Sequence, residues 1–383
     1  MLICVSTAAA CRCDDLSQDI IYRRQVSGKG SIAMGEQMQA LQIQKTGPMQ
    51  DNQGPLVATT MPRPQPARDE VLLRVIMCGI CHTELDEIEG RTAPSVLPRV
   101  PGHQVIGIVE ATGSDVSAPA PGTRVGVAWI FRACGDCHHC NAGEENLCTA
   151  FEATGRDHDG GYAEYMTAPA RFVVPIPDAL GDEQAAPLLC AGAIGLRSLR
   201  LAHLAPGEPL GLMGFGGANH LVLKLARHLH PDSPVLVWSR NRDEQELAMR
   251  LGAAWAGDID HRPPMQANAI IDTTPVYRTV LAALENLCPG GRLVINAIRK
   301  EDVDRELLSE LDYTQHLWME KEIKTVANVT RKDVTDMLAI AARACIYPEV
   351  QIYQFGEANH ALWQMRNGQI RGAKVLQVSQ ATR

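Results

Sequence analysis

PLGLMGFGGANHLVLKLARHL, residues 209–229, reads as a strand, a glycine-rich turn and a helix in immediate succession. PLGLMGF is an apolar run of strand length, and HLVLKLARHL carries its apolar residues at helical spacing. Between them Gly214, Gly216 and Gly217 allow a tight turn in which the backbone can approach a ligand closely. A pyrophosphate would then lie on the N-terminus of the following helix. The third glycine of the G-x-G-x-x-G pattern falls at Asn219, so an ordinary tight turn is the competing reading of these residues taken alone. Downstream, VLVWSR, NAIIDTT and RLVINAI are strand-like runs that alternate with helical patterns such as RDEQELAMRLGA. That rhythm implies βαβ units and a parallel sheet.

The strand after the glycine turn ends in Trp238-Ser239-Arg240-Asn241-Arg242. A dinucleotide site of this kind places an acidic residue there to hold the adenosine 2′-hydroxyl. A carboxylate would repel a 2′-phosphate, whereas Ser239, Arg240 and Arg242 can bind one, so NADP(H) is expected ahead of NAD(H). A solvated basic helix start is the alternative.

Toward the N-terminus the texture is different. EVLLRVIMCGIC, VIGIVEATG, RVGVAW, GGYAEYMTAP and RFVVPIP are short strand-like runs divided by Gly and Pro turns, which describes a β-rich, barrel-like half. Within it lies CGDCHHCNAGEENLC, residues 134–148. Thiolates at Cys134, Cys137, Cys140 and Cys148 can wrap one tetrahedral zinc ion; an iron–sulfur cluster and disulfides are the competing readings. A closed four-sulfur site has no open position for substrate, so such a zinc is structural. Cys81, His103 and Cys190 sit at strand ends and Gly-rich turns. Two thiolates and an imidazole would leave a fourth position open, as a catalytic zinc requires. Taken singly, each is also what a buried cysteine or a core histidine looks like.

Bulk properties narrow the function. At 383 residues the chain exceeds one ordinary core and suggests two domains. Its 36 basic against 44 acidic residues give a net charge of −8, the wrong sign for phosphate-driven nucleic-acid binding. The apolar runs in the sequence are too short to suggest a membrane span. Twelve cysteines in one dense cluster plus scattered singles fit a reducing, cytoplasmic setting with metal sites. Residues 1–37 mix three cysteines and an arginine pair without a clear period, and are expected to be a disordered extension or an overlong start, the folded chain beginning near Met34 or Met38.

CGICHTE, GHQ, C-x₂-C-x₂-C-x₇-C, GGYAEY, APLLCAG and GFGGANH, in this order and separation, resemble the zinc-dependent alcohol dehydrogenases of the medium-chain dehydrogenase/reductase superfamily. The resemblance spans Met38 to Ser379. It implies an α/β protein with a GroES-like β-rich catalytic domain at 38–190, carrying a structural-zinc lobe at 130–150. A Rossmann doubly wound parallel-sheet domain follows at 191–335, and 336–383 returns to the catalytic domain. It assigns Cys81, His103 and Cys190 to a catalytic zinc and the four clustered cysteines to a second, giving two zincs per subunit. Thr83 matches the hydroxyl that accepts the substrate proton, His82 a basic position at the cofactor pyrophosphate, and Trp129 an aromatic position of the substrate pocket, a plain core tryptophan being the alternative.

Departures from the family pattern are Gln104 for a glutamate, Glu84 for an aspartate behind the ligand histidine, and Asp86 for a histidine that passes the proton to solvent. Ile194 replaces a threonine near the nicotinamide, and Ala373 an arginine at the pyrophosphate, for which Arg371 or Lys374 are the candidate substitutes. The implied activity is NADPH-linked interconversion of small to medium alcohols with aldehydes or ketones by a cytoplasmic homodimer or homotetramer, without nucleic-acid or membrane partners. The runners-up are a zinc-free enone or quinone reductase of the same fold, and a scaffold that binds zinc and NADPH without turnover.

Overall fold

The computed structural model describes residues 36–49, 54–368 and 372–379. Most of the expected extension, residues 1–35, lies outside that range, as does Arg371. The chain opens with a hairpin of β1 (Gln37–Ile43) and β2 (Leu56–Pro62), so Gln37 is already paired. β3 (Glu70–Ile80) runs straight into α1 (His82–Ile88). There follow β4 (Val105–Thr112), β5 (Arg124–Val127), β6 (Ile130–Arg132), α2 (His138–Asn141), β7 (Glu152–Ala153), β8 (Tyr165–Pro169) and β9 (Val173–Pro175). β3 pairs with β4 and β8 as well as with a late C-terminal strand. Its run VLLRVIM is buried at nearly every position, as a strand covered on both faces must be.

A long helical run then leads out of this sheet: α3 (Asp182–Pro187), a π turn at Leu188–Gly192, and α4 (Ala193–Ala202). Pro187 lacks the N–H that a regular turn needs, and the wider turn follows it directly. As one helix, Asp182–Ala202 has the length and mean hydropathy (1.3) of a membrane span, a run that the sequence reading does not register. Its most apolar window is 67% buried inside the fold, which marks it as a core helix.

The second sheet is built from β10 (Leu210–Met213), α5 (Asn219–Leu229), β11 (Val235–Trp238), α6 (Arg242–Arg250), β12 (Trp255–Gly257), β13 (Ala267–Asp272), α7 (Arg278–Asn286), β14 (Leu287–Ile295) and β15 (Glu322–Thr325). Its order is β12-β11-β10-β13-β14-β15, and every pairing is parallel. That is the doubly wound arrangement, with its crevice outside the carboxyl ends of the strands where the order reverses, between β10 and β13. The chain ends with α8 (Arg331–Ala344), β16 (Val350–Gln354), α9 (Ala358–Arg366) and β17 (Ala373–Gln377). β17 pairs antiparallel with β3, so the C-terminus rejoins the first sheet. The chain passes between the two sheets inside helices, α3–α4 and α8, so the expected boundaries at 190 and 335 fall within helical runs.

Candidate functional site

Cys81 stands where β3 turns into α1. It is the N-cap of the helix, extended at φ −141°, and its Sγ accepts the Thr83 N–H at 3.4 Å. Glu84 completes a capping box: its Oε2 accepts the Cys81 N–H at 2.8 Å. The other oxygen of Glu84 meets His103 Nδ1 at 2.6 Å, both side chains essentially buried. With Nδ1 held, Nε2 of His103 faces Cys81 Sγ at 3.5 Å. Gly102, at φ +101°, makes this approach possible, because a Cβ there would lie 2.4 Å from the Tyr162 ring. Gly160, Gly161 and Tyr162 of the GGYAEY motif brace the same loop, donating to Val100, Gly102 and Pro101 carbonyls at 2.8–3.0 Å. Cys190 arrives from the π turn.

The three ligand atoms, Cys81 Sγ, His103 Nε2 and Cys190 Sγ, lie within 4.8 Å of one another. A tetrahedral zinc with arms of about 2.3 Å to sulfur and 2.0–2.1 Å to nitrogen has an S···N edge of roughly 3.6 Å, matching the 3.5 Å contact between Cys81 and His103. Without a cation Cys81 and His103 keep their protons. The Cys81 thiol is pushed well up, first by its hydrogen bond with Cys190, then by burial and Glu84. Burial alone would discharge His103, but Glu84 and Cys81 outweigh it and hold the imidazolium. A divalent cation would displace these protons on binding.

The second cluster gathers Cys134, Cys137, Cys140 and Cys148 within 4.8 Å. Cys134 Sγ lies 3.8 Å from Cys140 Sγ and 3.5 Å from Cys148 Sγ. The S···S edge of a zinc tetrahedron is about 3.8 Å, whereas a disulfide needs about 2.05 Å. Backbone N–H groups of Cys134 and Cys137 point at Cys148 and Cys134 sulfurs at 3.4 Å. The first of them holds Cys148 down to about 7, so the cluster offers a thiolate near neutral pH. The lobe docks on the start of α8 and the segment before it: Glu145 Oε1 accepts from Arg331 N and Nε at 3.0 and 2.9 Å, and Asn146 Nδ2 donates to Ala327 O at 2.6 Å.

In the glycine turn after β10, Gly214 takes φ +77°. A Cβ on Gly216 would meet nothing within 4 Å, and one on Gly217 only Gly372 O at 3.6 Å. The turn therefore presents bare backbone to an open cradle of the kind a pyrophosphate fills. Asn219 explains the lost third glycine: fully buried, its Nδ2 donates to Met213 O and Gly214 O at 3.0 and 2.8 Å and pins the strand end to the helix. Arg240 and Arg242 are exposed.

Ser239 differs from its expected role as a free phosphate donor. Its hydroxyl is buried and already donates to Glu244 Oε2 at 2.5 Å. Lys374 also differs from expectation. Its Nζ is committed to Tyr353 OH, Gln364 Oε1 and Gln351 Oε1 at 2.6, 2.8 and 3.2 Å, which removes it as the substitute for the missing pyrophosphate arginine.

The remaining expected residues fall around the first centre. Thr83 is half-buried beside Cys81, and His82 is exposed, within electrostatic reach of Asp86, Arg91 and Glu301. Asp86 is buried, and its Oδ1 takes Arg91 Nε at 2.5 Å and Arg299 Nε at 3.3 Å. Arg299 belongs to the segment after β14, so this ion pair ties α1 to the end of the parallel sheet. Gln104 is buried with Nε2 unpartnered, Ile194 and Ala373 are half-buried, and Trp129 packs 5.1 Å from Phe151 with Arg156 over its ring. Sequence reasoning missed Glu87, whose carboxyl is buried without a hydrogen-bond partner. Burial and then Glu84 push it well up, so it stays neutral. Its spacing of three from Glu84 on one helix face is the signal that could have found it.

The profile described as "Alcohol dehydrogenase GroES-like domain" matches residues 67–178. A probable alcohol dehydrogenase AdhA of Mycobacterium tuberculosis is 42% identical over 344 residues, covering 88% of this chain and 97% of the relative. An alcohol dehydrogenase of Geobacillus stearothermophilus is 31% identical over 335 residues, covering 85% and 96%. Among solved structures, a cinnamyl alcohol dehydrogenase of Sorghum bicolor superposes with a TM-score of 0.78 at 26% identity, covering 90% of this chain and 98% of that one.

Proposed function

The chain belongs to the zinc-type alcohol dehydrogenases of the medium-chain dehydrogenase/reductase superfamily, and from that premise we propose that it interconverts alcohols with aldehydes or ketones using NADP(H), at a zinc held by Cys81, His103 and Cys190. The observation that carries this is the convergence of two thiols and one imidazole within 4.8 Å, next to Thr83, whose backbone N–H bonds to Cys81 Sγ. When bound, zinc would supply Lewis-acid polarisation of the substrate oxygen and the nicotinamide nucleotide would exchange hydride with its carbon.

The chain's own residues do the rest. Glu84 fixes the His103 ring and the Cys81 backbone together, so one carboxylate orients two of the three ligands. In oxidation Thr83 would accept the substrate hydroxyl proton while passing its own on to water, and in reduction the transfer would run in reverse. Asp86, committed to Arg91 and Arg299, is a weaker candidate for the next proton step than its position in the sequence pattern suggests. The backbone of Gly214 to Gly217 and the N-terminus of α5 would seat the pyrophosphate. The Cys134–Cys148 cluster is read as a second, structural zinc site. Small to medium primary or aromatic alcohols are the substrate class we favour.

A homodimer or homotetramer is part of the same reading. β15 is the edge of the parallel sheet with all four residues exposed, Ile323 among them, and Trp318 and Met319 are exposed just before it; an open strand edge flanked by exposed apolar side chains is a surface for a second chain. A reducing, cytoplasmic setting is supported by the nine described cysteines, all free of disulfides.

The NADP(H) preference rests on Arg240 and Arg242 and on the absence of an acidic residue at Ser239. Charge-assisted hydrogen bonds contribute about 1.5–3 kcal/mol. The double variant Arg240→Ala, Arg242→Ala is therefore expected to lower kcat/KM for NADPH by roughly 10–100-fold, at 1.36 kcal/mol per decade. The value for NADH should hold within about threefold, the 2′-phosphate contact being absent. Steady-state kinetics with both nucleotides reads this directly. Wild-type preference for NADH would contradict it.

A further inference from the structure

We propose that Glu244 sets how strongly this chain discriminates NADP(H) from NAD(H). The proposal rests on the nucleotide reading of the GFGGANH turn and adds a group to it that the sequence pattern does not assign.

Glu244 lies in the first turn of α6, and its Oε2 accepts the 2.5 Å hydrogen bond from Ser239 Oγ, five residues earlier. That hydroxyl in turn accepts the Asn241 N–H at 3.2 Å, and Gln245 Nε2 donates to the Ser239 carbonyl at 2.6 Å. Ser239 is locked at 6% exposure, so the polar group offered at this strand end is the carboxylate. The backbone N–H of Phe215, inside the glycine turn, lies close enough to favour the charged form of Glu244. Met213 and Trp238 are register partners, so Gly214 and Ser239 occupy neighbouring strand ends, the edge where an adenosine ribose lies in this kind of fold. The acidic group missing at the end of β11 is delivered to the same edge from the helix.

The result is a contest between charges. A carboxylate at the ribose edge accepts a hydrogen bond from a 2′-hydroxyl and repels a 2′-phosphate. Arg240 and Arg242 pull the other way; both are exposed, and neither forms an ion pair among the described residues. Arg240 is within electrostatic reach of Glu244, so an incoming 2′-phosphate competes with Glu244 for that guanidinium. Burial raises the Glu244 carboxyl above its ordinary range, with Ser239, Arg240 and the Phe215 N–H opposing, so the site pulls in both directions on this one group. The chain therefore accepts both nucleotides, and Glu244 keeps the preference for NADP(H) below what the two arginines alone would give.

Fluorescence titration of the full-length protein with NADPH and with NADH measures this without turnover. The near-isosteric variant Glu244→Gln is expected to tighten NADPH and to raise the ratio of NADH to NADPH dissociation constants by at least about tenfold. Glu244→Lys, which places a cation at the same edge, moves the ratio further in the same direction. A ratio that stays within about twofold of wild type in both variants overturns the proposal. A wild-type protein that binds neither nucleotide overturns the underlying nucleotide reading with it, an outcome the same titration separates from an unshifted ratio.

Discussion

Cys190→Ala is expected to leave one zinc per subunit in place of two and to lower alcohol oxidation by roughly 10³-fold or more. A bound metal contributes several kcal/mol of charge stabilisation at the reacting oxygen, and each 1.36 kcal/mol corresponds to a factor of ten. Cys190 sits in a π turn rather than in a sheet, and it is half-buried. Removing its sulfur leaves the Glu84–His103 pair and the Cys81 cap intact. The melting temperature should therefore fall by only a few degrees, about 1 kcal/mol being the usual cost of such a change. Activity and stability separate in this variant. Metal analysis, turnover and a thermal melt on one preparation read all three quantities.

Cys148→Ala is expected to do the reverse. It also leaves one zinc per subunit, but the lost site is closed and holds the lobe together. Cys148 is buried with Ile130, Ala133 and Phe172, and receives the Cys134 N–H. Once the lobe loosens, the Glu145–Arg331 and Asn146–Ala327 contacts go with it. A loss of about 3 kcal/mol would lower the melting temperature by roughly 5–10 °C, while turnover measured well below the melt stays within about threefold of wild type, the open site being untouched. Equal activity losses in the two cysteine variants would merge the two sites into one function and contradict the division of roles.

The parts legible in the sequence are those with local signals. Strand, turn and helix at 209–229 announce the parallel sheet because each element's period and the glycines between them are contiguous. The four-cysteine lobe is legible because its ligands lie within 15 residues. Cys81, His103 and Cys190 are 22 to 109 positions apart, so their meeting could be anticipated only through the family resemblance, and it is the fold that brings them within 4.8 Å.

What stayed hidden depends on chain geometry. Glu244 reads as one more charge in the solvated run RDEQE, and only the return of the helix onto the end of β11 sets it against Ser239. Asp86 reads as a proton relay; Arg299, more than 200 residues away, turns it into a tie between α1 and the end of the parallel sheet. Glu87 looks like part of a solvated acidic helix, yet the helix packs its Glu84 and Glu87 face inward. Lys374 looks like a free cation near the cofactor, but β17 is buried at three consecutive positions and holds it in the core against Tyr353.

Stepwise chelation of the wild-type protein, with zinc content and alcohol–aldehyde turnover measured on the same samples, tests the central claim most directly. The account predicts two zincs per subunit that leave in two classes. Turnover should vanish as the first is removed from Cys81, His103 and Cys190, while the second stays with the lobe. Turnover that persists in protein stripped of zinc would contradict it.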